Sequence, residues 1–305
     1  MKILIVASYN KGRFAPFIVE QAEALIKMGC EVDYFGLRGK GLCGYLKNLP
    51  SLKRRIKEFQ PDVVHAHYSL SGLLANLQRC VPVVTTYHGS DINKKNVLPF
   101  SKMTMRFSAW NIFVSQKTLT IAKPKKRFSL LPCGIDISES QLTEKTVARQ
   151  RMGMSLTKKY ILFAGAFDNR VKNAPLAIEA TSLIHEDNVE LLELKGYKRD
   201  EVTLLMCAAD VFLMTSFSEG SPQVIKEALA CGCPIVSVDV GDVMERVAGV
   251  EGCVVVASDA QSIADAIRCA FTFEGKTKGR DAIFRDGLTN FQVASEILRV
   301  YNSII

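Results

Sequence analysis

The 305 residues predict an α/β fold of two doubly wound domains, each built on a parallel sheet. Three observations carry this reading. Short continuous apolar runs, the pattern of strands covered on both faces, alternate with helical apolar periods along the chain. The alternation weakens from 138 to 159, where polar residues dominate, and then restarts. Charge changes at the same place: residues 1–140 carry 21 Lys/Arg against 9 Asp/Glu, and residues 141–305 carry 18 against 22. The expected layout is a first domain over 1–145, a second over 146–289, and a helix over 290–305 packed back on the first. The two sheets are expected to face one another across a cleft.

Composition sets the outer limits. Hydrophobic residues at 48% and charged residues at 23% describe a globular protein with ample core. No apolar window approaches the length of a membrane-spanning helix. The opening MKILIVASYNKGRF is too short an apolar run for a signal peptide, so a cytoplasmic location is expected. Nine cysteines, an odd number set mostly in apolar segments, predict reduced thiols. Cys231-Gly-Cys233 has no second Cys/His cluster near it in sequence, so it is not assigned to a metal.

The first half reads element by element. Lys2–Ser8 is a buried strand, Asn10-Lys11-Gly12 a turn, and Phe17–Met28 a helix stopped by Gly29. Glu31–Leu37 is the second strand, which completes a βαβ opening. Gly39-Lys40-Gly41-Leu42-Cys43-Gly44 matches G-x-G-x-x-G, but it follows the second strand and lacks the returning strand with an acid. It is therefore read as a glycine-rich connection. Leu46–Phe59 is a basic amphipathic helix, 62–67 a strand, 71–78 a helix, and Val81–Tyr87 a strand ending at His88. A helix over 99–109, a strand over 111–115, a helix begun at 117–122 and the segment Phe128–Pro132 complete this half.

The second half starts with the strand Tyr160–Ala164 and a loop over 165–172. Helix 174–184, strand 189–194, helix 202–208 and strand Asp210–Met214 follow. Next comes EGSPQVIKEALACGCPIV over 219–236. Ser221 is placed as a helix N-cap and Pro222 at the first helical position, where its fixed φ fits and its missing N–H is not needed. The free N–H groups of that helix start attract anions. Acids on both sides, Glu219 and Glu227, suit a ligand that carries phosphate and hydroxyls together. The strand PIVSV, a short strand over 254–257, a helix over 262–271 and the final helix end the chain.

In a doubly wound sheet, ligands bind beyond the carboxyl ends of the strands. Arg170 and Lys172, in the loop after the first strand of the second half, open onto the same edge as Glu219. In the first half, His88 and Gly12 lie at the corresponding edge. His65, His67 and His88 are the right residue type for a three-histidine zinc site. Histidines at strand ends more often bond locally, and no Asp-x-Asp occurs in the chain, so no metal is assigned.

EGSPQVIKEALACGCPIV resembles the E-x7-E motif of retaining glycosyltransferases of family 4, which have the GT-B fold of two Rossmann-like domains. AADVFLMTSFSEG is similar to that family's preceding strand and loop, and FAGAFDNRVKNAPLAIEA to its phosphate-binding loop and helix. LLPCGIDI resembles its P-N-G-I-D segment, and YHGSD its H-G-x-D. The resemblance implies that Glu219 contacts the hydroxyls of a donor sugar, with Gly220, Ser221 and Pro222 near sugar and phosphates. It implies that Glu227 holds the ribose, and that Lys172 with Arg170 neutralises the diphosphate beside Gly165. His88 would reach the donor sugar from the first domain, where Gly12 lets its loop pass close. Neither acid is then a general base, because both hold hydroxyls.

The implied reaction is retaining, metal-independent and free of cofactor. Its donor is a nucleotide-diphosphate sugar, UDP favoured, and its acceptor a glycan or a lipid-linked glycan of a cell-surface polysaccharide. Two departures stand out: Ala166 where many members carry Arg, and Cys133 where they carry Asn. A GT-B-type epimerase or phosphorylase, or an impaired nucleotide-sugar-binding protein, shares these features. Base and sugar choice would fall to side chains around Gly196-Tyr197-Lys198. The basic first half, with clusters at 53–57, 94–95 and 123–127, predicts docking on an anionic membrane, on its inner face. Nucleic acid is not expected, because no aromatic platform is interleaved with the positive charge.

Overall fold

The structure, a computed structural model, describes residues 1–137 and 142–305; the part of the polar break at 138–141 lies outside them. The chain forms two compact units, Met1–Gly134 with Leu288–Ile305, and Ile135–Gly287. The boundaries fall at 134/135 and 287/288 rather than at 145/146 and 289/290. Packing explains both shifts. Gly134 lies so close to Asn290 that a Cβ there would be 2.7 Å from Asn290 Oδ1. Residues 145–151 form a helix whose Arg149 bonds Asp210 of the second unit.

Unit 1 holds six strands: β1 Lys2–Ser8, β2 Glu31–Leu37, β3 Val63–His67, β4 Val83–Tyr87, β5 Trp110–Phe113 and β6 Phe128–Leu130. They form one parallel sheet in the order β2-β1-β3-β4-β5-β6. β3 and β4 are buried along their whole length, as strands covered by helices on both faces must be. On one face Ile3, Ile5, Ile18 and Leu25 pack with Val293, Ile297 and Tyr301 of the last helix, Asn290–Asn302. On the other, Leu4 and Val6 meet Leu52, Ile56 and Leu74. The G-x-G-x-x-G stretch is a short helix, Gly41–Leu46. Gly39 faces Gly44 backbone to backbone, with room for no Cβ, since one at Gly39 would be 2.8 Å from Gly44 O. These glycines therefore serve a turn.

Unit 2 holds β7 Lys159–Phe163, β8 Val189–Glu193, β9 Val211–Met214, β10 Ile235–Val238 and β11 Cys253–Val256. All pair in parallel, in the order β11-β10-β9-β7-β8. β7 lies between β8 and β9, so the connections leave it in opposite directions and the sheet has its switch point between β7 and β9.

Candidate functional site

At that switch point the loops after β7 and β9 lie side by side. The β7 loop runs through Gly165 to a 3-10 turn, Arg170–Lys172. Thr215, just past β9, donates from Oγ1 to the carbonyls of Lys172 (3.0 Å) and Asn173 (2.9 Å). Phe217 N donates to Val171 O at 2.9 Å. These bonds fix the two loops together, and across the seam Lys172 Nζ donates to Glu219 Oε1 at 2.8 Å. Both side chains are about four-fifths buried, at 17% and 19% exposure, so this is a partly desolvated pair with reduced solvent screening. The lysine stem lies across Gly165, where a Cβ would stand 2.8 Å from Lys172 Cγ. Gly165 is thus required by the path of Lys172.

Arg170 is exposed and makes no ion pair among the described residues. The loop beside Ala166 is tied to the next strand through Phe167 N on Glu193 Oε2 and Lys195 on Asp168, each at 2.6 Å. Ala166 itself supplies no charge.

The helix after β9 spans Gln223–Ala230, with Pro222 as its N-cap and no side-chain cap. Ser221, expected as the cap, instead donates from Oγ to Asp242 Oδ2 at 2.8 Å. The helix therefore begins one residue later, at Gln223, and its N-cap Pro222 supplies no side-chain hydrogen bond. Asp242 sits in the loop after β10 and also forms an ion pair with Arg246, at 3.4 Å. Gly241 packs beneath the same turn: its φ is +57°, and a Cβ there would be 2.6 Å from Gly220 O. Ser216 Oγ and Asp242 Oδ1 are buried with no hydrogen-bond partner. Both lie at this carboxyl edge.

Glu227, one helical turn further, pairs with Arg199 at 3.3 Å. Burial pushes its carboxyl above the ordinary range, and Arg199 and Lys226 partly offset that. Arg199 and Asp242 were not singled out from the sequence. Arg199 follows the Gly196-Tyr197-Lys198 loop directly, so its signal was position at the strand edge; Asp242 gave no sequence signal, since its partner Ser221 is distant in the chain.

In unit 1, Gly12 (φ +70°) turns the exposed loop after β1, and His88 follows β4. His88 is held tightly. Its Nε2 bonds His67 Nδ1 at 3.0 Å, its Nδ1 meets Cys133 Sγ at 3.7 Å, and its backbone N donates to Asp91 Oδ1 at 3.0 Å. The rings of His65, His67 and His88 stack in a column, with centroids 4.6 and 5.2 Å apart. His67 Nδ1 and His88 Nε2 face each other, the His65 nitrogens turn to Thr86 and Tyr301, and His67 Nε2 is buried without a hydrogen-bond partner among the described residues. Desolvation lowers His65 to about 3 and His67 well below its ordinary value, which favours neutral rings at these two positions. Among the described residues no group of His, Cys, Asp or Glu is placed to hold a metal ion.

Two Rossmann-like parallel-sheet units, the second with a cation–carboxylate pair at its switch point, define an α/β protein of GT-B type. Residues 15–139 match the model of Glycosyltransferase Family 4, and residues 188–272 match that of Glycosyl transferases group 1. The two halves of the chain thus each resemble a glycosyltransferase family, the first of them family 4. TuaC of Bacillus subtilis, named for teichuronic acid biosynthesis, is 26% identical over 72% of this chain and 63% of its own length. The amylovoran biosynthesis glycosyltransferase AmsK of Erwinia amylovora is 26% identical over 68% of this chain and 61% of its own. The chain thus spans less than two thirds of the length of these curated relatives. Among solved structures, sucrose-phosphate synthase from Thermosynechococcus elongatus superposes with a TM-score of 0.83 at 17% identity, covering 100% and 99% of the two chains. HepE of Anabaena, in complex with UDP, gives 0.77 at 19% identity over 99% and 100%. At these identities the likeness is one of fold.

Proposed function

We propose that the chain transfers a sugar, with retention, from a nucleotide-diphosphate sugar to a glycan or lipid-linked acceptor in cell-surface polysaccharide synthesis, on the cytoplasmic face of the membrane. The observation that carries this is the Lys172–Glu219 pair at the switch point of unit 2. A diphosphate placed there meets an ammonium and the N-terminal end of the helix Gln223–Ala230. Sugar hydroxyls meet a carboxylate that accepts and does not need a proton. As the bond to the sugar breaks, negative charge gathers on the departing diphosphate, and fixed cations and N–H dipoles lower that barrier. Glu227, held by Arg199, is suited to accept from the ribose hydroxyls of the same nucleotide. Arg170 supplies a second positive charge from the rim of the loop, and His88 and Gly12 are read as the unit 1 residues nearest the transferred sugar. UDP is favoured because HepE, of the same fold, is recorded with UDP and with UDP-glucose. The polysaccharide setting rests on what TuaC and AmsK are named for.

Calorimetric titration of UDP and UDP-glucose, alongside product analysis with labelled donor, tests this. Lys172→Ala should weaken UDP binding by about 10- to 100-fold, the loss of one charge-assisted bond. Glu219→Ala should retain UDP, lose the added affinity of the sugar, and abolish transfer. Wild-type turnover in both variants overturns the site. A free epimer or a sugar phosphate as the product would point to epimerisation or phosphorolysis.

A further inference from the structure

Between Asp91 and Asp136 the chain carries nine Lys/Arg and neither Asp nor Glu. The fold gathers six of these cations, Lys102, Arg106, Lys123, Lys125, Lys126 and Arg127, around one cavity of about 590 Å³ in unit 1. All six are exposed, and none forms an ion pair among the described residues. The cluster at 53–57 differs in kind. There Arg55 pairs with Asp33 at 2.6 Å and with Glu58 at 3.6 Å, and Arg54 reaches Glu58 at 3.9 Å. The structure therefore separates two basic clusters that look alike in sequence: in one the two arginines are paired with neighbouring carboxylates, in the other none of the six cations is paired among the described residues.

Apolar side chains stand beside the unpaired cations. On the helix Leu98–Phe107, Lys102 and Arg106 share an i, i+4 face, and Met103 (38% exposed) and Phe107 (48%) form the parallel row next to it. Ile121, and Phe128 and Leu130 of the edge strand β6, are exposed as well. Phe128 and Leu130 point to one side of the sheet by period two. A surface with unpaired ammonium and guanidinium groups among exposed aliphatic and aromatic groups matches a bilayer interface, where phosphates and acyl chains lie a few ångströms apart. A free phosphate would use the cations alone.

Position on the sheet adds to this. The cavity lies where the helix Leu98–Phe107 ends and β5 and β6 begin, at the amino-terminal edge of the parallel sheet. Gly12 and His88 follow the carboxyl ends of β1 and β4, at the opposite edge. A bilayer can cover the first edge without covering the second.

We infer that this cationic cavity and its apolar rim dock unit 1 on an anionic phospholipid surface. The inference does not rest on the reading of unit 2. In flotation, the whole protein should rise with vesicles of phosphatidylcholine and phosphatidylglycerol, but not with phosphatidylcholine alone, and should be released by high salt. Each cation removed should weaken binding roughly five-fold, so Lys125→Ala/Lys126→Ala/Arg127→Ala should lower it on the order of a hundred-fold. Phe107→Ser/Phe128→Ser should remove the part of binding that survives high salt. Arg54→Ala/Arg55→Ala, which removes the paired cations of the other cluster, serves as the charge control and should bind nearly as wild type. UDP titration and circular dichroism of the 125–127 variant should match wild type, which separates a docking defect from unfolding or loss of the donor site. The inference is overturned by no flotation, by binding indifferent to phosphatidylglycerol, by a loss per removed cation that is equal in the two charge variants, or by displacement from vesicles by single-stranded RNA.

Discussion

At the scale of the residue, the site depends on how a few side chains are kept in place. Gly165 has an ordinary backbone conformation, so its requirement comes from the Lys172 stem lying across it. Gly165→Ala should move the ammonium off Glu219, lowering UDP affinity about ten-fold while the melting temperature changes by only a few degrees; an unchanged affinity would show that Lys172 does not meet the diphosphate. Glu227 gives a pH prediction. Its raised carboxyl pKa means that the folded protein takes up a proton at a higher pH than the unfolded chain does. Its ionised form therefore costs folding free energy, absent below the unfolded pKa and fully present once pH has risen through the folded one. Ribose hydroxyls need the ionised acceptor, so donor affinity should fall as pH drops through a midpoint above the usual carboxylate range. Arg199→Ala removes a charge that favours ionisation and should move that midpoint upward; affinity measured against pH in both proteins decides it. Glu219 and Lys172 were legible because strand, glycine loop and acid occur in an order that places them at one edge. Arg199 was not, because its role depends on Glu227 lying opposite it, 3.3 Å away in space and 28 positions away in sequence.

At the scale of the element, the parallel strands were readable as uninterrupted apolar runs, since burial on both faces leaves polar side chains few positions. Helix Lys145–Arg151 was not: its sequence KTVARQR has no apolar stripe. It is held instead by a buried pair, Arg149 with Asp210 at 2.6 Å, and by Arg149 bonds to the carbonyls of Leu156, Lys158 and Ala208. The helix Gly279–Arg285 was hidden too, because it opens on glycine; there the missing side chain is required, as a Cβ at Gly279 would lie 2.6 Å from Leu229 O. Ser221 was misplaced as a cap because Asp242, not the helix, takes its hydroxyl. Asp91 shows what joins strand ends in unit 1. Its carboxylate accepts from Ser69 N at 3.1 Å and His88 N at 3.0 Å, and burial raises it to about 6. Below the unfolded pKa both states are protonated and the shift has no effect; above about 6 the full cost of burying the anion is present. The stability of wild type relative to Asp91→Asn should therefore fall by roughly 3 kcal/mol as pH rises from about 2 to about 8. Urea unfolding of the two proteins at each pH measures the difference, and a difference that does not vary with pH would contradict it.

At the scale of the whole molecule, the two units do not share the chain evenly in sequence: unit 1 is completed by residues 288–305. The helix Asn290–Asn302 has an apolar period, Val293, Ile297 and Tyr301, that needs a partner surface. It finds one against the helix Pro16–Lys27 and the face of β1 and β3. A capping box at Thr289 and Gln292 starts the helix, and Tyr301 OH bonds the buried His65 ring. Unit 1 therefore cannot close its core until residues 288–305 have arrived, whereas unit 2 is continuous from Ile135 to Gly287. Ile297→Ala should destabilise unit 1 by about 2–5 kcal/mol through the cavity it leaves in a core where Ile297 is 2% exposed. Tyr301→Phe, which leaves a buried imidazole nitrogen short of its partner, should cost about 1–3 kcal/mol. Both losses belong to unit 1. Limited proteolysis of either variant should therefore cut first within residues 1–134, while UDP binding, assigned to unit 2, keeps its wild-type affinity; first cuts between 135 and 287 would show that the helix stabilises the other unit instead.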